Sequence, residues 1–551
     1  MTVGDRDLDS EAPSGPPGAV APGRTDQAAA PGGTGDTAAA GPTRRPWWIW
    51  AAPFAALFGV LLVRNRFLFS TRLYEGGDSG ANSILIEQAK RFTLLVGNYS
   101  REGFHHPGPA YMYVQALGEW LARDVARVVP TDWNGQLIAI FALNSAFAAI
   151  AVGIVYGWTR SVRGAAACFL VVAAFIAVHP PFINSGWMPY MYVPTFFVFA
   201  LAAASVAARR ADDLWALTLS GWFLIHGQAS FLFFVPVITV SVLVAVWWPH
   251  RRSPRAAARR FFRDYRGAWI STLVISAVFL LPIAVNLVLH WPGDLGKYFA
   301  YGNSSAAGGH GVRQVVRYAL WFWWPHQQAW VVPLVLYAIA IATTVTLARD
   351  PLRRFLLAVL AINVVVSLAF VFFAAVGIDV LADYYIGYFY WSVPFLTLLV
   401  IAVSLVQAVR LTMLTPVMVA GCVAALALVP GLRTSTHDDI PALPAAVATL
   451  AARAPGQPIV IHIDHAAWVD ATGFLVQAER THVRACIEQP SWTFMMTRQF
   501  ICTASERARG ARYQFVSPAS HARAPVILRF GLTAVTAARP RAGGQNGAGT
   551  G

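Results

Sequence analysis

The chain has little charge and little cysteine. Only 13% of its 551 residues are Asp, Glu, Lys or Arg, whereas roughly 25% is usual in soluble globular proteins. Its four cysteines are too few for a disulfide scaffold. The sequence also lacks a Walker phosphate-binding loop, the glycine pattern of dinucleotide-binding sites and an HExxH zinc motif. These absences argue against a soluble globular protein, an ATP-driven pump and a cytoplasmic enzyme that uses a nucleotide sugar.

Hydrophobic residues make up 56% of the chain and are concentrated in long runs. Each run has about the length that crosses a bilayer as a helix. The runs lie at 47–63, 134–157, 164–180, 190–208, 213–229, 231–248, 268–289, 328–347, 355–377, 385–408 and 411–430. We therefore predict an all-α polytopic membrane protein with about eleven transmembrane helices. The net charge of +15 does not indicate a nucleic-acid partner, because the arginines lie largely in short turns between the runs.

The arginines of the short turns lie at alternate ends of the apolar runs, as the positive-inside rule requires of cytoplasmic loops. They are Arg160, Arg163, Arg209, Arg210, Arg349, Arg353, Arg354, Arg410 and the cluster between Arg251 and Arg266. The intervening turns 179–190 and 226–230 contain no Lys or Arg. This pattern predicts a multi-pass protein with a cytoplasmic N-terminus. The first loop, 65–133, the loop 290–326 and the C-terminal region would be external.

The composition changes on both sides of the transmembrane region, which we predict at 46–430. Residues 1–45 and 531–551, rich in small residues, are predicted to be disordered tails, the first of them cytoplasmic. Residues 431–530 are predicted to form a small external α/β domain. Its strands are expected at 458–463, 513–516 and 526–528, and its helices at 441–453 and 466–480.

Two cysteines, Cys486 and Cys502, lie outside the apolar runs. Because an external compartment is oxidising, we expect these two to form a disulfide. Cys168 and Cys422 lie within apolar runs and are interpreted as core residues.

The first loop contains the densest group of polar and titratable side chains in the chain. Apolar residues at helical spacing predict a helix over Ser79–Val96 that lies along the membrane surface. Asp78 precedes this helix in a Gly-Gly-Asp-Ser-Gly turn, whose glycines would let the backbone approach a ligand closely. A helix N-terminus also favours anions. Asp78 is therefore the candidate catalytic carboxylate; the alternative is that it only caps the helix.

Other residues of the same loop are candidate substrate-binding groups. His105 and His106 precede a rigid Pro-Gly-Pro turn, where they could bind phosphate as cations, ligate a metal or transfer protons. The alternative is a pair of interfacial histidines whose rings reach water. Arg101 is a candidate cation for a substrate phosphate, and the role of the adjacent Glu102 is open. Tyr111, in the aromatic helix that follows, completes this set.

Two further glutamates of the loop are weaker candidates. Glu87 and Arg91 have the i,i+4 spacing of a surface ion pair, so we expect Glu87→Gln to change activity little. Glu75 and Glu102 are the alternatives to Asp78 as a base.

Polar residues in other predicted external turns are candidate partners of the loop. They are His226, His326 and Asp383. If these groups act together, Asp78, one of the two adjacent histidines and one of these three should line one cavity. That cavity should lie at the external membrane face and open sideways to lipid.

The first span, the long loop with an early acidic residue, the number of spans and the C-terminal domain resemble the GT-C class of integral membrane glycosyltransferases. The segments GGDSG and YSREGFHHPGPAYMY are similar to first-loop sequences of bacterial members. The resemblance implies a polyprenyl-phosphate-linked sugar donor and an inverting transfer at the external face of the bacterial inner (plasma) membrane. It also implies an acidic first-loop residue as general base, the position of Asp78. Many members carry Asp-Glu or Asp-Asp there, whereas Ser79 follows Asp78; no cofactor is assigned, and a divalent metal is left open.

We therefore predict a glycosyltransferase whose partners are the lipid-linked donor, membrane lipid and a glycan, lipid or protein acceptor. The alternatives are a transporter or flippase of a lipid-linked saccharide and an inactive scaffold that binds envelope polymer. Coupled transporters usually place ionisable residues deep inside their spans. Here the candidate residues are grouped at one face of the membrane, which favours the enzyme.

Overall fold

The computed structural model describes residues 45–302, 308–324, 330–408 and 415–537. His326 and most of the two predicted tails therefore lie outside the described residues. At both ends, the structure orders residues that we predicted to belong to the disordered tails. Arg45 forms a buried ion pair with Asp213 at 2.6 Å, and residues 533–537 form a strand of the C-terminal sheet.

The larger part of the described chain is helical. The first span, α1 (Trp48–Arg64), is followed by α2 (Gly77–Lys90) and α3 (Ala110–Glu119) in the first loop. The helices that come next are α4 (Asp132–Thr159), α5 (Val162–Val178), α6 (Pro181–Asn184), α7 (Met188–Ala207), α8 (Leu214–Gly227), α9 (Phe231–Trp247), α10 (Pro254–Asp264), α11 (Arg266–His290), α12 (Gly293–Gly302), α13 (Val312–Trp321), α14 (Val331–Leu347), α15 (Leu352–Val376), α16 (Ser392–Ala408) and α17 (Thr415–Leu428).

Each predicted apolar run contains one of these helices, so the prediction of a polytopic helical protein is confirmed. Six described helices are long and apolar enough to cross a membrane. They are Asp132–Thr159, Met188–Ala207, Phe231–His250, Arg266–His290, Leu352–Val376 and Tyr384–Ala408. Shorter apolar helices stand at the other runs, and the count of eleven spans stays a prediction. The Met188–Ala207 helix is 83% buried in its most apolar stretch and lies at the centre of the bundle, whereas α11 is 0% buried and lies at its edge.

The C-terminal part folds as an α/β domain around a mixed sheet. Its helices are α18 (Leu443–Arg453), α19 (Trp468–Arg480), α20 (Thr493–Met496) and α21 (Ala504–Arg509). Its strands are β1 (Ile459–Ile463), β2 (Ala485–Ile487), β3 (Ala511–Val516), β4 (Val526–Phe530) and β5 (Thr533–Ala537), in the order β2-β1-β3-β5-β4. The first three strands pair in parallel, and β5 is antiparallel to both of its neighbours.

The predicted helices and strands of this domain are present, with boundaries shifted by a few residues. Two strands were not predicted. Strand β2 has only three residues, which is too short for a pattern of alternating side chains to be recognised. Strand β5 lies beyond residue 530, in the segment that we predict to be a disordered tail.

Cys486 and Cys502 form a disulfide, as predicted, with their Cα atoms 5.0 Å apart. Both residues are buried. Cys486 belongs to β2, and the bond fixes this short edge strand to the segment that follows α20. The crosslink therefore stabilises the outermost part of the sheet.

Replacing both cysteines by Ser should destabilise the C-terminal domain. The disulfide joins residues separated by 16 positions, and closing a loop of that size contributes about 3 kcal/mol in the chain-entropy model. The thermal unfolding midpoint of the purified double variant should fall accordingly. Cys422→Ala, which removes a thiol that forms no disulfide, is the control. An unchanged midpoint in the double variant would contradict the prediction.

The first loop packs directly against the α/β domain. Backbone hydrogen bonds join the two parts: the Gly76 N–H donates to the Asp438 carbonyl at 2.8 Å, and the Ile440 N–H donates to the Tyr74 carbonyl at 2.8 Å. Helix α2 lies along α19. The loop and the C-terminal domain therefore form one packed unit above the helical bundle.

Candidate active site

The turn around Asp78 is shaped by the protein's own C-terminal domain. A Cβ atom on Gly80 would lie 2.8 Å from the hydroxyl of Thr472, and one on Gly76 would lie 3.0 Å from the Val469 carbonyl oxygen. The glycines thus permit close contact with α19, and the prediction that they serve a ligand is wrong. Gly76 is the residue before α2, and Asp78 lies in the first turn without capping the helix. The capping alternative is therefore wrong as well.

Helix α2 is shorter and more deeply buried than predicted. It ends at Lys90, six residues before Val96, because Phe92 has a positive φ of 55°. The Thr93 N–H then donates back to the Gln88 carbonyl at 3.1 Å and closes the helix. Most residues of α2 are buried between α3 and α19, so the helix packs inside the protein on more than one face, unlike the predicted amphipathic surface helix.

Both carboxylate oxygens of Asp78 accept hydrogen bonds from aromatic side chains. The Tyr99 hydroxyl donates to Oδ1, and the Trp187 indole N–H donates to Oδ2 at 2.8 Å. Burial and the nearby carboxylate raise the pKa of Tyr99, so its hydroxyl stays protonated. Both donors are uncharged. They fix the orientation of the Asp78 carboxylate without neutralising its charge.

Asp78 lies in the wall of a cavity of about 410 Å³. The cavity is bordered by the first loop, the starts of α7 and α9, α12 and the end of α15, all of which lie at predicted external turns. Its aromatic lining consists of Tyr99, Phe104, Trp187, Tyr192, Tyr298, Tyr301, Phe373 and Tyr385. Its charged or titratable lining consists of Asp78, Arg101, Glu102, His106 and Asp379. Aromatic rings beside a few polar groups are typical of a site for a small organic ligand.

Arg101 connects the first loop to the segment between α15 and α16. Its guanidinium contacts Asp379 at 2.6 Å, Asp383 at 2.5 Å and Glu102 at 3.4 Å. Burial lowers the pKa of Arg101, but the hydrogen bonds to Asp383 and Asp379 outweigh it and raise the pKa overall. Three carboxylates surround one guanidinium. Arg101 is therefore not a free cation awaiting a phosphate, and Asp383 contacts Arg101 without lining the cavity.

The two adjacent histidines point to different surroundings. His105 contacts Asp294 of α12 at 3.6 Å and does not line the cavity. His106 lines the cavity, and its Nδ1 accepts the Ala229 N–H at 3.2 Å, which leaves the proton on Nε2. Burial, with a smaller effect of His105, lowers the pKa of His106 to about 3. His106 is therefore a neutral donor near neutral pH, and the predicted cationic form is wrong for it.

The low pKa of His106 should make stability fall in acid. The unfolded chain takes up a proton below about pH 6.5, whereas folded His106 does so only near pH 3. Stability is then fully present above pH 6.5 and falls by up to about 1.4 kcal/mol per pH unit below it. His106→Gln should reduce the slope of the unfolding midpoint between pH 6.5 and 4. His521→Gln, at an exposed position, should leave this slope unchanged. Equal slopes in the His106 variant and the wild type would contradict the lowered pKa of His106.

Several other predicted residues lie outside the cavity. Tyr111 is buried and hydrogen-bonded to Thr195 at 3.0 Å. His226 is buried, with its Nε2 2.9 Å from the Phe279 carbonyl oxygen, although residues 228–230 beside it line the cavity. The cavity expectation therefore holds for Asp78 and His106 but not for His226 or Asp383.

Glu75 and Glu87 form ion pairs with one arginine that is distant in the sequence. Each contacts the Arg480 guanidinium of α19 at 2.8 Å. The predicted pair between Glu87 and Arg91 is wrong, because Arg91 instead contacts Glu479 at 2.5 Å. Glu75 points away from the cavity, so it is not available as an alternative base.

Sequence reasoning missed the direct partners of Asp78 and one acidic residue of the cavity. Tyr99 and Trp187 are held in loops that meet only in the folded protein, and no spacing rule relates them to Asp78. Asp379 is four positions before Asp383 in the same turn between two apolar runs, and the argument that identified Asp383 applies to both. Among the described residues, no group of three or more His, Cys, Asp or Glu is arranged to hold a metal ion.

No protein-family model and no curated protein sequence matches the chain. Its structure is similar to the crystal structure of ArnT from Cupriavidus metallidurans in the apo state. The TM-score is 0.54 at 14% sequence identity, and the match covers 88% of this chain and 97% of that chain. The chain therefore has the polytopic GT-C fold, and the predicted fold class is confirmed.

Proposed function

We propose that the protein is a membrane glycosyltransferase that transfers a sugar from a polyprenyl-phosphate-linked donor to an acceptor hydroxyl, with inversion. One observation carries the proposal: the carboxylate of Asp78, held by two neutral donors, lies in the wall of an aromatic cavity of about 410 Å³. The similarity in fold to ArnT supports the same reaction class.

Asp78 acts as the general base in this proposal. Its carboxylate accepts the proton of the acceptor hydroxyl while that oxygen attacks the anomeric carbon. The bond between the anomeric carbon and the donor phosphate oxygen breaks, and the phosphate leaves with the electron pair. Attack from the face opposite to the phosphate inverts the anomeric centre. Trp187 and Tyr99 hold the carboxylate in one orientation, which reduces the motion needed at the moment of transfer.

The leaving phosphate is stabilised by an uncharged donor in this proposal. Arg101 is already surrounded by Asp379, Asp383 and Glu102, so we assign it to holding the cavity wall. We assign this role to His106, which lines the cavity and carries its proton on Nε2. The hydroxyl of Tyr298, which also lines the cavity, already donates to the His105 carbonyl oxygen. Donors fixed in a partly dry site stabilise developing negative charge without having to reorganise.

The polyprenyl tail would leave the cavity next to the end of α15. Phe373 and Val376 line the cavity, and the side chain of Val376 is also 48% exposed at the outside of the bundle. The neighbouring Phe372 is 55% exposed. These apolar residues would face lipid on one side and the reacting sugar phosphate on the other. The acceptor, a glycan, lipid or protein, would approach from the external water.

Purified protein in vesicles, supplied with radiolabelled polyprenyl-phosphate sugars, tests the proposal. We expect the label to move to an acceptor added from the external side, with the opposite anomeric configuration. Movement of intact labelled lipid across the bilayer would instead indicate a flippase. Binding of an envelope polymer without either event would indicate a scaffold.

A further inference from the structure

We propose that the C-terminal α/β domain is part of the catalytic unit and that its helix α19 positions Asp78. This inference rests on the proposed function. Its basis is that the segment carrying Asp78 packs tightly against α19 and is hydrogen-bonded to the C-terminal domain. Thr472 and Gly473 are thus positioning residues, since they act on the reacting groups only through Asp78.

Helix α19 and the Asp78 turn are packed so closely that an added side-chain atom would clash. A Cβ atom on Gly473 would lie 2.4 Å from the Glu75 carbonyl oxygen. On the facing side, a Cβ atom on Gly80 would lie 3.0 Å from the Gly473 nitrogen. Two backbones therefore meet directly, with glycine on each side of the contact. Any side chain placed there must shift the turn, because packed interiors do not absorb such an overlap.

Hydrogen bonds fix the register of the same contact. The Thr472 hydroxyl lies 3.1 Å from the carbonyl oxygen of Gly77, the residue immediately before Asp78, and shares its proton with the Val469 carbonyl oxygen at 2.9 Å. Gly77 has a φ of +55°, a conformation that glycine adopts readily. The Ser79 hydroxyl, immediately after Asp78, donates to Asp438 at 3.0 Å. Both neighbours of the proposed base are therefore held by residues of the C-terminal domain.

Arg480, at the opposite end of α19, makes a second set of contacts with the segment that carries Asp78. Arg480 contacts Glu75, three positions before Asp78, and Glu87, nine positions after it, at 2.8 Å each. Asp78 thus lies between two residues that are anchored to a single guanidinium. The bundle contributes the facing wall through Trp187. Helix α19 and Trp187 together set the distance from the carboxylate to the cavity.

The decisive variant is Gly473→Ala. Alanine favours a helix more than glycine does, so α19 itself should remain intact while the Glu75 carbonyl is displaced. We expect the turnover number of folded protein to fall by about 10- to 100-fold, the cost of a misplacement of this order in an active site. The KM for the donor should stay within about twofold, because the residues proposed to bind the donor are untouched. Gly59→Ala, at a helical position with no atom near the added methyl group, is the matched control.

Thr472→Val keeps the result interpretable if Gly473→Ala fails to fold. Valine has the shape of threonine but lacks the hydroxyl, so turnover should fall by roughly threefold to tenfold, the effect of about one hydrogen bond. Thr472→Ser retains the hydroxyl and should restore turnover, which a loss of packing alone would not allow. Thr449→Val on the exposed side of α18 is the control.

The outcomes separate this inference from the proposed function. If Asp78→Asn is inactive while Gly473→Ala and Thr472→Val keep the wild-type turnover number, the positioning role is refuted and the proposed function remains. If Asp78→Asn keeps full activity, the proposed function fails. A fall in turnover for Gly473→Ala together with an equal rise in donor KM would indicate general distortion of the cavity, and would also refute the positioning role.

Discussion

Asp78→Asn is expected to lower turnover by roughly 10²–10⁴-fold, because it removes the proposed proton acceptor. The substitution should leave the fold intact. The amide oxygen of Asn can accept the Trp187 indole N–H, and the amide nitrogen can donate to the oxygen of the Tyr99 hydroxyl, which both donates and accepts. Donor binding should therefore survive, and the loss should appear in kcat rather than in KM. Initial rates over a series of donor concentrations measure both quantities.

Asp124→Asn is the matched control for this variant. Asp124 lies in the same loop, is exposed and does not line the cavity, so its turnover should equal that of the wild type. If Asp78→Asn keeps full activity, the base is to be sought at Glu102 or Asp379. These are the other carboxylates that line the cavity in the described part of the chain. Glu87→Gln is not suitable as a neutral control, because Glu87 contacts Arg480.

The features that were correctly predicted depend on local sequence. An apolar run long enough to cross a bilayer predicts a helix regardless of its neighbours. The disulfide followed from elimination, since only Cys486 and Cys502 lie outside the runs. The choice of Asp78 as the base also rested on local sequence, a carboxylate in a glycine-rich turn beside a helix N-terminus, and it stays a prediction. Its position in a cavity wall supports the choice, although the reason given for the glycines was wrong.

The features that were missed depend on contacts between distant parts of the chain. Glu87 and Arg480 are 393 positions apart, and Glu75 and Arg480 are 405 apart. Spacing within a helix suggested Arg91 as the partner of Glu87, but the packing of α2 against α19 places Arg480 beside Glu87 instead. Partial burial also lowers the pKa of His106, because removing an imidazole from solvent disfavours its charged form. Neither burial nor a partner four hundred residues away is encoded in a local pattern.

Arg480→Gln should produce the largest loss of stability among the variants considered. The Arg480 guanidinium lies within 3.4 Å of each carboxylate of a cluster formed by Glu75, Glu87, Glu119 and Asp132. Burial lowers the pKa of Arg480, but these four groups outweigh it and raise the pKa overall. Lys90 is a second cation in contact with the cluster, at 2.9 Å from Glu119. Removing one partner of a buried ion pair costs about 3–5 kcal/mol, and thermal unfolding should show a loss of that size.

Arg498→Gln, at an exposed position of the same domain, should change the unfolding midpoint little. The unfolding midpoint of Arg480→Lys should lie between those of Arg480→Gln and Arg498→Gln. A lysine ammonium is a single point charge and cannot present separate nitrogens to Glu75 and Glu87 as the guanidinium does. If Arg480→Gln lowers the unfolding midpoint no more than Arg498→Gln does, the cluster does not hold the two domains together.

The loss caused by Arg480→Gln should also depend on pH, which distinguishes charge from packing. Burial raises the pKa of Glu119 even in the wild type, against the opposing effects of Arg480 and Lys90. Without Arg480 the folded-state pKa values of the whole cluster should rise above those of the unfolded chain. Carboxyls of this kind disfavour folding above their raised pKa and stop doing so once they are protonated. The difference in midpoint between Arg480→Gln and the wild type should therefore narrow from about pH 8 to about pH 5. A difference that stays constant over this range would mean that Arg480 acts by packing alone.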